Sequence, residues 1–221
     1  LKADQIKRLR ANTWETLGFF RGVGARGGRV EDQGMATIDG VSCQKIAFIH
    51  APNIVFTRYF DLATGRRRWS FHTGGRVKGA VSASGNRVFA GAYDGRVYAL
   101  NLMTGALQWS TSSQSRLGGR GRFYSTPALA YGRVYIGSTD GKVYSFGAAS
   151  GELRWSRSTG GYVYSSPAVW NKTVYAGSYS KELLALDAAT GEVRWRFRAN
   201  GAISGSPTVM GGNVWFSTLE R

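Results

Sequence analysis

A chain of 221 residues that is 43% hydrophobic and 13% aromatic can bury a sizeable core. Its formal charge of +16, from 29 basic and 13 acidic residues, favours anionic partners such as nucleic acid, anionic envelope polymer or lipid head groups. Cys43 is the only cysteine, which excludes an internal disulfide and a cysteine-rich metal site, and no apolar run reaches the roughly 18 residues a membrane-spanning helix needs.

Residues 1–34 show no internal repeat. Ile6 to Phe20 carries a weak helical pattern, and Gly22-Val-Gly24-Ala-Arg-Gly27 matches the glycine spacing of a dinucleotide fingerprint. The residues after it, Gly28 to Gly34, make a poor helix, and no clear strand precedes it, so the fingerprint lacks its required context. The start has no apolar centre of the kind a signal peptide carries, and a chain opening on Leu1 is expected to have lost its true beginning.

Residues 35–69 read as a degraded four-stranded unit. Met35 to Gly40 supplies a first strand and turn, Gln44 to Ile49 a second strand and Ile54 to Phe60 a third, with insertions near Val41 to Cys43 and His50 to Asn53. The segment then enters Asp61-Leu-Ala-Thr-Gly65, which opens a motif that recurs down the chain. The recurring motif ends in Trp69, Trp109, Trp155 and Trp195, and each copy carries a glycine four residues earlier, at Gly65, Gly105, Gly151 and Gly191. Intervals of 40, 46 and 40 residues are the signature of a repeat architecture.

Full repeats follow over 70–109, 110–155 and 156–195, with a partial one over 196–221. Between Pro127 and Trp155 four short β-rich runs are divided by Tyr131-Gly132, by Thr139-Asp140-Gly141 and by Gly147 to Gly151. Asp140-Gly141 is expected to form a tight hairpin in which both central residues take positive φ. Asp61 and Asp187, and the Ser or Thr before each Thr-Gly or Ser-Gly glycine, are expected to hydrogen-bond the turn backbone. One small antiparallel sheet cannot cover both of its own faces, so neighbouring sheets must stack, and an indole per sheet is a natural filler between them. Trp69, Trp109, Trp155 and Trp195 are therefore assigned structural docking roles together with their four glycines.

The residues Ser166-Pro-Ala-Val169, Gly132-Arg-Val-Tyr-Ile-Gly137, Asp140-Gly-Lys-Val-Tyr144 and Ala185-Leu-Asp-Ala-Ala-Thr-Gly-Glu-Val-Arg-Trp195 resemble the PQQ-like β-propeller repeats. That family is shared by quinoprotein dehydrogenases, by the BamB-type outer-membrane assembly lipoprotein and by many secreted bacterial proteins. The resemblance implies an all-β fold, a β-propeller of four-stranded antiparallel blades, here a partial ring with about three full blades, one degraded blade before them and a partial blade after. It also implies an extracytoplasmic location.

Dehydrogenases of this kind carry a vicinal cysteine pair, a Ca²⁺ site and a catalytic Asp. With one cysteine the pair is absent, and Asp94, Asp140, Asp61 and Asp187 sit where turns need them, so no catalytic residue, cofactor or metal ligand is expected. Carrying the family's blade layout over puts Arg76, Lys78, Arg96, Arg116, Arg120, Arg122, Lys142 and Lys181 on one face, with Tyr93, Phe123, Tyr124, Tyr162, Tyr164 and Tyr179 beside them. Such a rim suits an anionic polymer or a peptide strand. Tyr124 and Tyr164 are expected to pack blade against blade. The expected function is a non-enzymatic scaffold or binding module. A fragment of a PQQ-dependent dehydrogenase and the sensor portion of a larger receptor or kinase are the alternatives.

Overall fold

The computed structural model describes residues 29–38, 41–51, 54–61, 69–113 and 121–219. They divide into two compact units, Leu1–Ser70 and Phe71–Arg221. In the first unit, β1 (Arg29–Ile38), β2 (Val41–Ala51) and β3 (Ile54–Asp61) form a three-stranded antiparallel meander. These strands of 10, 11 and 8 residues are longer than the sequence pattern suggests. Pairing continues from Ile38 with Val41 back to Arg29 with Ile49, and a bulge between Asp32 and Met35 absorbs the irregular stretch before Met35. Strand pairing is a backbone property, so the polar run from Glu31 to Gln33 does not end β1.

The second unit contains β4 (Ser82–Ser84), β5 (Arg87–Gly91), β6 (Arg96–Asn101) and β7 (Leu107–Ser112), paired in chain order as a four-stranded antiparallel sheet. The next two sheets repeat this plan. They are β8 (Ala128–Ala130), β9 (Arg133–Gly137), β10 (Lys142–Gly147) and β11 (Leu153–Ser158), then β12 (Ala168–Trp170), β13 (Thr173–Gly177), β14 (Glu182–Asp187) and β15 (Val193–Arg198). A two-stranded sheet of β16 (Thr208–Met210) and β17 (Asn213–Trp215) follows. First strands neighbour first strands, β4 beside β8, β8 beside β12 and β12 beside β16, so the sheets fan out as the blades of a partial propeller. The second and third strands of each four-stranded blade are covered on both faces. This explains runs such as Val134-Tyr-Ile-Gly137 and Leu183-Leu-Ala-Leu186, which are buried without alternation.

Two hairpin types alternate within a blade. The connection from the first to the second strand has two residues, both at positive φ in three of the four sheets: Tyr131 and Gly132 at 52° and 67°, Asn171 and Lys172 at 42° and 55°, Gly211 and Gly212 at 59° and 78°, whereas in Gly85-Asn86 only Gly85 is positive, at 56°. The doubly positive geometry is the one expected of Asp140-Gly141, where it does not occur. There the connection runs from Ser138 to Gly141, and only Gly141 takes positive φ, at 79°. Its amide donates to the Ser138 carbonyl at 3.2 Å. Asp140 acts instead as an acceptor: its Oδ1 takes the Lys142 amide at 3.2 Å, and its other oxygen takes the Tyr144 hydroxyl. Asp94 does the same for Arg96, at 3.0 Å, and Tyr98.

Three kinds of contact join successive blades, the first of them between the three four-stranded blades. First, the indole of one blade lies on the Thr-Gly or Ser-Gly turn of the following blade. Trp109 Nε1 donates to the Ala148 carbonyl and Trp155 Nε1 to the Ala188 carbonyl, each at 3.1 Å. A Cβ added at Gly151 would stand 2.5 Å from the Trp109 ring, and one at Gly191 2.6 Å from the Trp155 ring, so these turns need glycine for space as well as for φ near +70°. Second, the glycine that ends each second strand admits a side chain from the next crossing: Phe123 against Gly91, Val163 against Gly137 and Ile203 against Gly177. Third, backbone amides donate to hydroxyls one repeat ahead, Ala80 to Thr126, Thr126 to Ser166 and Ser166 to Ser206, at 3.1, 2.9 and 2.9 Å. Their separations of 46, 40 and 40 residues restate the repeat as a row of hydrogen bonds.

The docking residues differ in burial accordingly. Trp155 is 8% exposed and Trp109 half-buried, whereas Trp195 is 42% exposed. Trp195 stacks obliquely on Tyr175, but β16 and β17 contribute no turn of the kind that covers Trp155. Trp69 belongs to the first unit, and Gly65 lies outside the described residues.

Asp187 organises the turn that receives Trp155. Its Oδ1 accepts the amides of Ala189 and Thr190 at 2.8 and 2.9 Å, and its Oδ2 accepts Arg194 Nη2 at 2.7 Å. The Arg194 hydrogen bond, then the Thr190 amide, hold its carboxyl at about 2, below the usual carboxylate range. A depressed folded-state value stabilises above the unfolded-state pKa and is lost as pH falls toward the folded one. Acid unfolding between pH 4 and pH 2, followed by tryptophan fluorescence, is therefore expected to be less steep in Asp187→Asn than in the unaltered chain.

Candidate functional site

At one end of each sheet of the second unit, the residues after the second strand are clamped to the segment that leads into the first strand. The amide of Tyr93 donates to the Arg76 carbonyl, Thr139 to Arg122, Tyr179 to Tyr162 and Leu219 to Ala202, all at 2.9 Å. Between clamp and first strand, Val163 and Ile203 turn into the core, and so does Phe123, which was expected beside the rim cations but fills the space over Gly91. The alternation of an extended segment then turns the next residue, Tyr124 or Tyr164, the other way. Equivalent positions in successive blades are thus Arg76 and Tyr93, then Arg122 and Tyr124, then Tyr162, Tyr164 and Tyr179.

These side chains meet. Ring centroids of Tyr93 and Tyr124 are 6.0 Å apart, those of Tyr124 and Tyr164 5.0 Å, and those of Tyr164 and Tyr179 4.9 Å. Tyr162 joins at 5.9 Å from Tyr164. The Tyr124–Tyr164 and Tyr164–Tyr179 pairs are edge to face, with interplanar angles of 86° and 70°, the arrangement that the ring quadrupoles favour. At the far end the Arg122 guanidinium lies over the Tyr93 ring at 5.6 Å. The strip remains on the surface, with Tyr124 and Tyr179 each 38% exposed and Tyr162 54%.

Burial raises the Tyr93 pKa above its ordinary value. The neighbouring phenols of Tyr124 and Tyr164 add to the rise, and the charges of Arg122 and Arg76 oppose it. Tyr93 therefore stays a neutral O–H donor at physiological pH.

The structure brings Tyr93, Tyr179, Arg122 and Arg76 into one neighbourhood and leaves Lys78 exposed on the same crossing segment. Other cations of the expected rim bond groups of their own blade or are partly buried. Arg96 Nη1 donates to Ser110 Oγ on the outer strand, Lys181 Nζ donates to the Asn200 carbonyl, and Lys142 is half-buried. Arg116 and Arg120 lie outside the described residues. Tyr124 and Tyr164, expected to pack blade against blade, do touch across blades, and they do so as part of an exposed strip. The signal for this in the sequence is the parallel Phe123-Tyr124-Ser-Thr-Pro127 and Val163-Tyr164-Ser-Ser-Pro167, whose first members are core residues.

Among the described residues no three His, Cys, Asp or Glu side chains come together as a metal site, and no helix is long and apolar enough to cross a membrane.

Residues 56–166 and 159–220 match the family described as outer membrane protein assembly factor BamB. No curated protein sequence matches the chain. Among solved structures, BamB from Moraxella catarrhalis superposes with a TM-score of 0.64 at 23% identity, covering 84% of this chain and 58% of that one. The computationally designed Ika8 protein gives a TM-score of 0.62 at 16% identity, over 81% and 65%. The quinohemoprotein alcohol dehydrogenase of Comamonas testosteroni gives 0.60 at 16% identity, over 88% and 42%. The chain thus spans under two thirds of the length of each of these neighbours, and at such identities the likeness shows the fold alone. The blade-to-blade contacts and the family match over 56–220 together establish that this chain belongs to the PQQ-like β-propeller repeat family of the BamB type.

Proposed function

We propose that this protein is a non-enzymatic scaffold of the cell envelope that binds a partner protein through the tyrosine strip and its arginine end. The carrying observation is the continuous contact of Tyr93, Tyr124, Tyr164 and Tyr179 across three blades, with Arg122 stacked at one end. Exposed Tyr and Arg side chains held rigid by mutual packing are the residue types that supply binding energy at protein interfaces, because they offer large contact area at small entropic loss. The BamB-type family match supports the envelope setting and a protein partner.

Photo-crosslinking tests this reading. A benzophenone amino acid at Tyr124 or Tyr162, introduced in the native host, is expected to give one discrete protein adduct. The same group at Met103, exposed on a Thr-Gly turn at the other end of the blade, is expected to give none. Adducts of equal yield from both ends would overturn the assignment. The dehydrogenase alternative draws on the fold shared with the quinohemoprotein enzyme. It requires dye-linked alcohol oxidation when PQQ and Ca²⁺ are added to the purified chain, and the expected result is none.

A further inference from the structure

We infer that the tyrosine strip receives an extended, proline-rich segment of the partner in the polyproline II conformation, with an acidic residue of that segment against Arg122. The inference rests on the protein-binding reading above and specifies the chemistry of what is bound.

The clamp carbonyls along the strip are already occupied. The Arg76, Arg122 and Tyr162 carbonyls are taken by the amides of Tyr93, Thr139 and Tyr179, so a partner strand cannot add a ladder at the clamps. What remains is side chain. The rings stand at steep angles to one another, at spacings of 6.0, 5.0 and 4.9 Å, which produces notches rather than a flat platform. Rings locked edge to face do not offer the parallel faces on which successive nucleotide bases stack.

The hydroxyls of Tyr93, Tyr124, Tyr162, Tyr164 and Tyr179 make no hydrogen bond to other described residues, whereas those of Tyr98, Tyr131 and Tyr135 do. The strip is therefore an array of apolar notches edged with free O–H donors. A polyproline II segment complements both features. It rises about 3.1 Å per residue with three residues per turn, so five residues cover about 15 Å, and pyrrolidine rings on one side recur about every 9 Å, which seats them in alternate notches between rings spaced 4.9–6.0 Å. It also has no internal hydrogen bonds, which leaves its carbonyls free to accept from tyrosine hydroxyls. Its stiffness lowers the entropic loss on binding. The positive end formed by Arg122 and Arg76 sets direction by charge complementarity, since both guanidinium groups act on Tyr93 and Arg122 lies over its ring.

The test uses the full 221-residue chain and a fluorescein-labelled nonapeptide, Pro-Pro-Leu-Pro-Pro-Leu-Pro-Asp-Glu, read by fluorescence anisotropy. Saturable binding is expected, with about a tenfold loss on replacing the prolines by alanine and about a tenfold loss in Tyr164→Ala. A smaller loss and a flatter salt dependence are expected in Arg122→Ala. Because Tyr164→Ala removes packing, the triple change Tyr124→Phe, Tyr164→Phe and Tyr179→Phe serves as the fold-preserving variant. It keeps every ring and removes only the donors, and it is expected to weaken the peptide several-fold with unchanged near-ultraviolet circular dichroism. The inference is overturned if the alanine-replaced peptide, poly-L-glutamate or oligo-dT binds as well as the proline peptide, or if the triple phenylalanine variant binds it undiminished. A discrete photo-adduct at Tyr124 without proline-peptide binding rejects this inference and leaves the protein-binding reading standing. Absence of both rejects the two together.

Discussion

Replacing Trp155 by alanine is expected to destabilise the propeller unit by about 3–5 kcal/mol, read as a lowered urea midpoint at unchanged slope. The side chain is 8% exposed and belongs to a core cluster with Tyr135, Val174, Leu184 and Leu186. Its removal opens a cavity between two blades whose backbones are tied by the hydroxyl row and cannot close over it. It also removes the Nε1–H donor to the Ala188 carbonyl, although Tyr135 still donates to that carbonyl at 3.1 Å. The same substitution at Trp195 provides the internal comparison. That indole is 42% exposed, and its truncation is expected to cost about 1 kcal/mol, near the average for a point substitution. Equal losses at the two sites would show that the indoles do not act by filling the space between blades.

Gly191→Ala should be nearly as damaging from the other side of the same contact. Residue 191 sits at φ +73°, where a side chain costs roughly 1–2 kcal/mol, and the new methyl group would lie 2.6 Å from the Trp155 ring, adding about 1–3 kcal/mol of overpacking. These two costs are separable. In a Trp155→Ala background the ring is gone and only the backbone cost remains, so the double variant should be more stable than the sum of the single losses by about 1–3 kcal/mol. Strict additivity would mean that Trp155 moves away from Gly191 without loss, and that the turn needs glycine only for its dihedral angle.

The repeat was legible because its signals are local. Asp187-Ala-Ala-Thr-Gly191 shapes its own turn through hydrogen bonds two or three residues long, and the same chemistry recurs at Asn101, whose Oδ1 takes the amides of Met103 and Thr104 at 2.9 Å. Strand runs between such turns leave one pairing available, that of nearest neighbours. The Asp-Gly turn was misassigned for an equally local reason. Asp both tolerates positive φ and accepts amide hydrogens, and composition does not separate the two uses; the four-residue connection and the nearby Tyr144 hydroxyl selected the second.

For the candidate site, the sequence supplied the residues and little of their grouping. Tyr93 and Tyr179 belong to turns, and Tyr124 and Tyr164 to crossing segments. They become one surface only because clamps such as Tyr179 to Tyr162 bring turn and crossing together. The family's blade layout put eight cations on one rim, yet Arg96 and Lys181 are held by Ser110 Oγ and the Asn200 carbonyl. Arg122 instead finds an aromatic ring.

By itself the sequence determined the all-β blades, their period and their order, since turn chemistry and strand pairing act between residues close along the chain. Tertiary structure alone decided which glycine each indole covers, which is the next blade's and not its own, and which tyrosines form a common face. Those contacts join residues some forty positions apart, where no local preference acts and only the stacking of one sheet on the next sets the distance.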